Sequence, residues 1–283
     1  GSGVRVVIVT PDLKVLGSGE AGSANPNSAG REAAAQNVQS AVRSALSAAQ
    51  IDPQAVEVAG VGIAGTVTAR DWVQETVSAV LPATRLRIAS DMEIALVGAH
   101  GERRGVLILA GTGSVAFGFN DQGETVQVGG WGYLLGDEGS GYMLGLQALQ
   151  AVVRADDGRA QPTRLTSAVL EALHLSAPRD LIQWVYAPGR TRDIARLAPL
   201  VLAAADDPVA QEIITRNVTE LALAGQTVAL RIGIAHPAFA FAGGLLSEAN
   251  PLSDGLCAAL GLPGLPVPKY SPVIGAAILA LTQ

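Results

Sequence analysis

Three times in this chain an apolar run stops at glycine: Val61-Gly-Ile-Ala-Gly65, Leu107-Ile-Leu-Ala-Gly-Thr-Gly-Ser114 and Phe239-Ala-Phe-Ala-Gly-Gly-Leu-Leu-Ser247. Short apolar runs bounded by turn residues read as buried strands. Glycine after a strand lets the backbone take a positive φ or pass close to another group. Between these strands lie alanine-rich stretches with apolar residues on one helical face, such as Val38, Val42 and Leu46. Strands alternating with helices twice over imply an α/β chain in two lobes. At 283 residues the chain is also long for a single core.

In detail, the pattern predicts strands over 4–10, 14–17, 55–63, 86–89, 105–110, 115–119, 125–128 and 238–242. It predicts helices over 28–50, 71–81, 138–153, 163–173, 194–205, 209–232, 245–260 and 274–281, with another begun by Met92. The stretch 105–110 is apolar throughout, as a central strand covered on both faces should be. The linker-like stretch is the proline-rich 261–272.

Composition narrows the function. A net charge of −6 supplies no basic footprint for nucleic acid or an anionic membrane. The single cysteine, Cys257, excludes an internal disulfide and a thiolate metal site, which fits a reducing cytoplasm. His100, His174 and His236 lie too far apart for a histidine metal motif. The sequence has no apolar run long enough for a membrane span.

Four segments carry candidate chemistry, each with a plain structural alternative. Residues 60–65 match GxGxxG after a strand, with Asp91 ending the next strand, which suits a dinucleotide or only a tight turn. Gly111-Thr112-Gly113-Ser114 could bring backbone N–H groups to phosphate oxygens or could be an ordinary hairpin turn. Neither lysine, Lys14 or Lys269, follows a glycine loop, so no lysine clamp of the Walker type is present. Gly243-Gly244 reads as two glycines at a helix start, for a flat or anionic group or for close packing. The stretch GGWGYLLGDEGSGYMLG, 129–145, combines seven glycines with Trp131, Asp137 and Glu138. Its carboxylates suit a polar ligand or the positive end of a helix, and Trp131 a ligand or the core. Asp91 could act at the strand end, or cap the helix that follows.

Taken together, VLILAGTGSVAFG followed by GGWGYLLGDEGSGYMLG resembles the sugar kinases of the N-acetylglucosamine kinase type, in the BadF/BadG/BcrA/BcrD ATPase family. GSANPNSAG near the start and SPVIGAAILAL at the end extend the resemblance over essentially the whole chain. It implies two RNase H-like α/β lobes of the actin-like ATPase fold (sugar kinase, Hsp70, actin), with ATP and sugar in a cleft. The lobes are expected over 1–104 with 271–283, and over 105–270. Carried over by residue, Asp91 matches the base that takes the proton of the sugar 6-hydroxyl. Asn25, Ser114, Gly130, Trp131, Gly132 and Asp137 match sugar-binding positions. Gly111, Thr112 and Gly113 match a phosphate turn, and Gly243 with Gly244 the adenosine turn.

The resemblance thus implies ATP with Mg²⁺ as cofactors, an amino sugar as substrate, and a cytoplasmic enzyme without nucleic-acid or membrane partners, compatible with a homodimer. Two departures stand out. The family opens with a strand and a DGGGTKT-like turn, whereas GSGVRVVIV aligns with the end of that turn and the second strand, so the chain is expected to start late. Val115 stands where animal enzymes carry asparagine near the sugar. A non-catalytic sugar or nucleotide sensor and an NAD-dependent oxidoreductase built on 60–65 are the alternative readings.

Overall fold

The structure is a computed structural model that describes residues 3–63 and 70–282. The chain divides into two compact units, Gly1–Arg104 with Pro268–Gln283, and Gly105–Val267.

The first unit opens with strands β1 (Val4–Val9) and β2 (Val15–Ala21), paired as an antiparallel hairpin. Helices α1 (Pro26–Ala29) and α2 (Arg31–Ala49) follow. A 3-10 turn at Pro53–Ala55, capped by Asp52, includes Ala55, the first residue expected for the next strand, which begins instead at Val58. Then come β3 (Val58–Ile63), α3 (Arg70–Ser78), β4 (Arg85–Ser90) and α4 (Asp91–His100). β3 and β4 pair in parallel, Val58 with Arg85 through Ile63 with Ser90. Val42 and Leu46 of α2 meet Val73 and Val77 of α3 in the core. Their spacing of three to four residues is what places each pair on one helix face.

The second unit begins with a three-stranded meander of β5 (Gly105–Ala110), β6 (Ser114–Phe119) and β7 (Thr125–Gly129). Helices α5 (Gly141–Asp156), α6 (Leu165–Leu173), α7 (Leu181–Val185), α8 (Thr191–Ala195), α9 (Ala198–Ala203) and α10 (Pro208–Arg231) follow. Strand β8 (Phe239–Ala242) and helix α11 (Pro251–Ala259) complete the unit, and the chain returns to the first unit with α12 (Pro272–Leu281). The sheet order is β7-β6-β5-β8, with β8 parallel to β5. β5 is therefore interior and nearly all buried, as its unbroken apolar run requires. Val106 and Ile108 share a core with Leu144, Leu221 and Leu256.

Three expected helices start or break elsewhere, each for a local reason. The stretch expected over 194–205 is two helices, because Pro199 lacks the N–H that a continuous ladder needs. α11 begins only at Pro251, with Asn250 accepting from the N–H groups of Leu252 and Ser253 at 2.9 and 3.2 Å. Gly243-Gly244 thus leads into a turn rather than a helix. α5 begins at Gly141, where the Ser140 hydroxyl accepts from Met143 N–H at 3.1 Å.

Candidate active site

The end of β5 gathers three segments of the second unit. The Ala110 carbonyl accepts from Leu245 N–H at 3.2 Å, which ties the turn after β8 to the strand end. The carbonyls of Gly111 and Thr112 accept from Gly141 and Tyr142 N–H at 2.7 and 3.2 Å, which ties the start of α5 to the β5–β6 turn. Gly243 has φ 86°, and a Cβ there would overlap the Ala110 carbonyl, so this position admits only glycine. Among the described residues, the backbone N–H groups of Thr112, Gly113 and Gly244 donate to no protein acceptor, and Thr112 and Gly244 are exposed. Open space surrounds Gly111 and Gly244 where a side chain would stand. Unpaired N–H groups converging in a glycine turn form a concave donor surface of the kind that holds phosphate oxygens.

Asp137 lies against the same turn: a Cβ on Gly113 would fall 2.8 Å from its Oδ2. It is nearly buried and holds a left-handed backbone at φ 64°. Such a conformation is uncommon outside glycine, asparagine and aspartate. The expected alternative, a carboxylate in the first turn of a helix, does not apply to Asp137 or Glu138, because α5 begins beyond them. The loop is pinned from beneath instead. Ser114 is buried, and its hydroxyl donates to the Glu138 carbonyl at 2.6 Å. Asn217 of α10, 1% exposed, accepts from Gly139 N–H at 2.9 Å and donates to Gln147 Oε1 at 2.6 Å and the Ile213 carbonyl at 2.8 Å.

Beyond that pinned base the loop is open. Gly130 N–H donates to the Ser114 carbonyl at 3.1 Å, and Gly130 and Gly132 both have positive φ. Trp131 is 75% exposed, so it does not fill the core. Leu134 and Leu135 are equally open, while Tyr133 packs on Tyr142 of α5 with ring centres 4.8 Å apart. Val115 packs against Gly130.

Asp91 and Asn25 belong to the first unit. Ser90 is the cap of α4, its hydroxyl accepting from Glu93 N–H at 3.0 Å, and Asp91 is the first helical residue. The Asp91 carboxylate accepts from Met92 N–H at 3.0 Å and from its own backbone N–H. Although Asp91 is exposed, partial removal from water by the surrounding protein raises its carboxyl above the ordinary aspartate range, against the opposing pull of those two N–H groups. Asn25 is exposed; its carbonyl closes α1 by accepting from Ala29 N–H, and Asn37 of α2 anchors the same loop by donating to the Ser23 carbonyl at 2.9 Å.

The GxGxxG reading fails on position. Gly60 and Gly62 lie inside β3, where a Cβ would overlap the Ala276 backbone of α12 and the Ile94 side chain of α4. Their smallness is used in helix–strand packing, and Gly65 lies outside the described residues. Among the described residues no three or more His, Cys, Asp or Glu side chains gather for a metal, and no helix is long and apolar enough to cross a membrane.

Sequence reasoning missed Asn217, Ser140 and Asn37. The Gly-Ser-Gly before an apolar helical run was a readable cap signal for Ser140. Nothing marked Asn217 or Asn37, since each is one polar residue in a long helix.

The fold is that of the actin-like ATPases, the class to which sugar kinases belong. A proposed N-acetylglucosamine kinase from Chromobacterium violaceum matches it with a TM-score of 0.74 and 30% identity, over 100% of this chain and 96% of that one. A hexokinase of the ROK type from Thermus thermophilus shares the fold with a TM-score of 0.55 at 18% identity, over 100% of this chain and 96% of that one. The chain belongs to the BadF/BadG/BcrA/BcrD ATPase family, whose sequence model matches residues 1–280. It is similar to the N-acetylmuramic acid/N-acetylglucosamine kinase of Clostridium acetobutylicum, 30% identical over 90% of this chain and 85% of that protein. It is likewise similar to the N-acetyl-D-glucosamine kinase of Dictyostelium discoideum, 32% identical over 76% of this chain and 70% of that protein.

Proposed function

We propose that this protein is an ATP-dependent kinase that phosphorylates the 6-hydroxyl of an amino sugar, N-acetylglucosamine or glucosamine. The observation that carries the reading is the end of β5, where free backbone donors of two glycine turns adjoin a nearly buried carboxylate, Asp137. Its relatives' names supply the substrate class, since they are kinases of N-acetylglucosamine and N-acetylmuramic acid.

The N–H groups of Thr112, Gly113 and Gly244 would hold phosphate oxygens, and Asp137 would accept hydrogen bonds from sugar hydroxyls. Gly130 and Gly132 let backbone approach the ring, with Trp131 beside it. Asn25 is a second polar group proposed for the sugar. Asp91 is proposed as the general base. As the sugar oxygen forms its bond to the γ-phosphorus and the bond to the β-phosphate oxygen breaks, the hydroxyl proton passes to the Asp91 carboxylate. Its raised pKa suits that task, because a base whose pKa lies nearer the working pH drives proton transfer better. Fixed amide donors then stabilise charge on the transferring group without reorganisation.

A divalent ion supplies charge neutralisation at the phosphates when bound. Thermal unfolding tests the nucleotide half of the reading. ATP with Mg²⁺ at about 100 times its dissociation constant should add about 2.7 kcal/mol, and NAD nothing. Protection by NAD alone would reverse the assignment.

A further inference from the structure

The geometry points to Tyr133 and Tyr142 as a positioning pair that holds the tip of the sugar loop against the phosphate turn, an inference that rests on the kinase reading of both segments. The loop needs such a tether. Residues 129–139 include five glycines, and glycine loses the most backbone freedom when it is ordered. Among the described residues, no backbone hydrogen bond ties 131–136 to anything outside the loop. The N–H groups of Leu135 and Gly136 donate back to the Gly132 carbonyl, at 3.1 and 2.9 Å. The bonds at Gly130 and Gly139 fix only the two ends. A tip held at its ends alone would pivot on them. Trp131, Leu134 and Leu135 do not anchor it, being 75%, 81% and 79% exposed. Tyr133 is 41% exposed, because its ring lies on that of Tyr142.

Tyr142 is a fixed point. It stands in the first turn of α5, where its N–H donates to the Thr112 carbonyl at 3.2 Å, beside the 2.7 Å bond from Gly141 N–H to the Gly111 carbonyl. Its side chain also packs against the core of the second unit. One residue therefore holds the phosphate turn by its backbone and the sugar loop by its ring. The two ring centres are 4.8 Å apart with planes tilted by 51°, within the range of attractive aromatic pairs. Removal from water, and then the Tyr133 phenol beside it, push the Tyr142 hydroxyl above the usual tyrosine range, so Tyr142 meets the loop as a neutral ring at ordinary pH.

The consequence falls on the sugar. Gly132 and Trp131 are one and two residues from Tyr133, so the tether presents them in one place before the sugar arrives. Without it, sugar binding would have to order the loop as well, and affinity would fall. The phosphate turn keeps its backbone bonds to α5 whatever ring stands at 133, so ATP should not register the change.

Two measurements test this. In the first, Tyr133→Ala should raise KM for the amino sugar by roughly three- to ten-fold, the worth of an aromatic pair. KM for ATP should not change, and kcat should stay within about two-fold. Tyr133→Phe, which keeps the ring, should restore the wild-type values. Tyr142→Leu keeps an apolar side chain against the core and should reproduce Tyr133→Ala, with the double variant no worse than either single one. The second measurement is the fluorescence anisotropy of Trp131 without ligands, in a chain carrying Trp72→Phe and Trp184→Phe. Adding Tyr133→Ala should lower it, and adding Tyr133→Phe should not. Unchanged anisotropy in the alanine variant would overturn the proposal. So would equal rises in KM for sugar and ATP, a phenylalanine variant as impaired as the alanine one, or additive effects in the double variant. Anisotropy needs no substrate, so absence of turnover in the unaltered protein would defeat the proposed reaction and leave the tether to be judged by anisotropy alone.

Discussion

At the scale of single residues, two carboxylates carry the account, and their surroundings separate their roles. Asp91→Asn should lower turnover by roughly 10²-fold or more while sugar affinity stays within a few-fold, as loss of a general base does. The same substitution has a stability signature. A carboxyl whose folded pKa is raised binds protons more readily folded than unfolded, so it weakens stability as pH rises from the ordinary aspartate pKa through the raised one. Asp91→Asn should therefore melt no lower than wild type at neutral pH, with any advantage vanishing in acid; a clear loss of melting temperature would make Asp91 structural. Asp137 behaves differently. Asparagine tolerates the left-handed backbone at φ 64°, so Asp137→Asn isolates the charge. A hydrogen bond to a charged acceptor is worth roughly 1.5–3 kcal/mol, so calorimetry should show sugar binding weakened about ten-fold or more and binding of a non-hydrolysable ATP analogue unchanged. Both residues were candidates from the sequence, Asp91 from its strand-end position and both from the family resemblance. What was not legible is that Ser90 caps α4 and so leaves Asp91 free of capping.

At the scale of elements, the loop before α5 is held by a buried side chain of α10. Asn217→Ala would strand the Gly139 N–H, and leaving a buried donor unpaired costs roughly 1–3 kcal/mol. We expect a lower melting temperature and a rise in KM for sugar that exceeds any rise in KM for ATP; equal changes would mean the loop serves both ligands. Trp131 gives a second readout, since its exposed ring should change fluorescence on sugar binding and not on nucleotide binding. Asp207, the cap of α10, should contribute to acid sensitivity. Burial alone would raise its carboxyl, but bonds from the Arg164, Ala210 and Val209 N–H groups and the Thr163 hydroxyl hold it below the usual range. That stability is present above the ordinary carboxylate pKa and is lost as pH falls toward the depressed one, so Asp207→Asn should flatten the acid limb of a melting-temperature profile. Most elements could be read from periodicity, as with the unbroken apolar run of β5. Helix starts could not, because apolar spacing continues through residues 245–250 whereas the helix waits for the Asn250 cap and Pro251. The cap chemistry was in the sequence, but periodicity outweighed it.

At the scale of the whole molecule, strand–glycine turns repeated along the chain implied the α/β fold that both units carry. The glycines at 60 and 62 misled, because a glycine that admits a packed helix and one that admits a ligand look alike in sequence. What distinguishes them is the neighbour, which only the folded chain supplies. The account's central claim is that donors at the β5 end serve ATP while Asp137 and its loop serve an amino sugar, with transfer between them. The most direct test incubates the protein with ATP, Mg²⁺ and N-acetylglucosamine or glucosamine, and follows the sugar by mass spectrometry and phosphorus NMR. The account predicts stoichiometric conversion of ATP to ADP with one phosphoryl group on the sugar 6-oxygen. ATP hydrolysis without a phosphorylated sugar, or binding of both ligands without transfer, would contradict it.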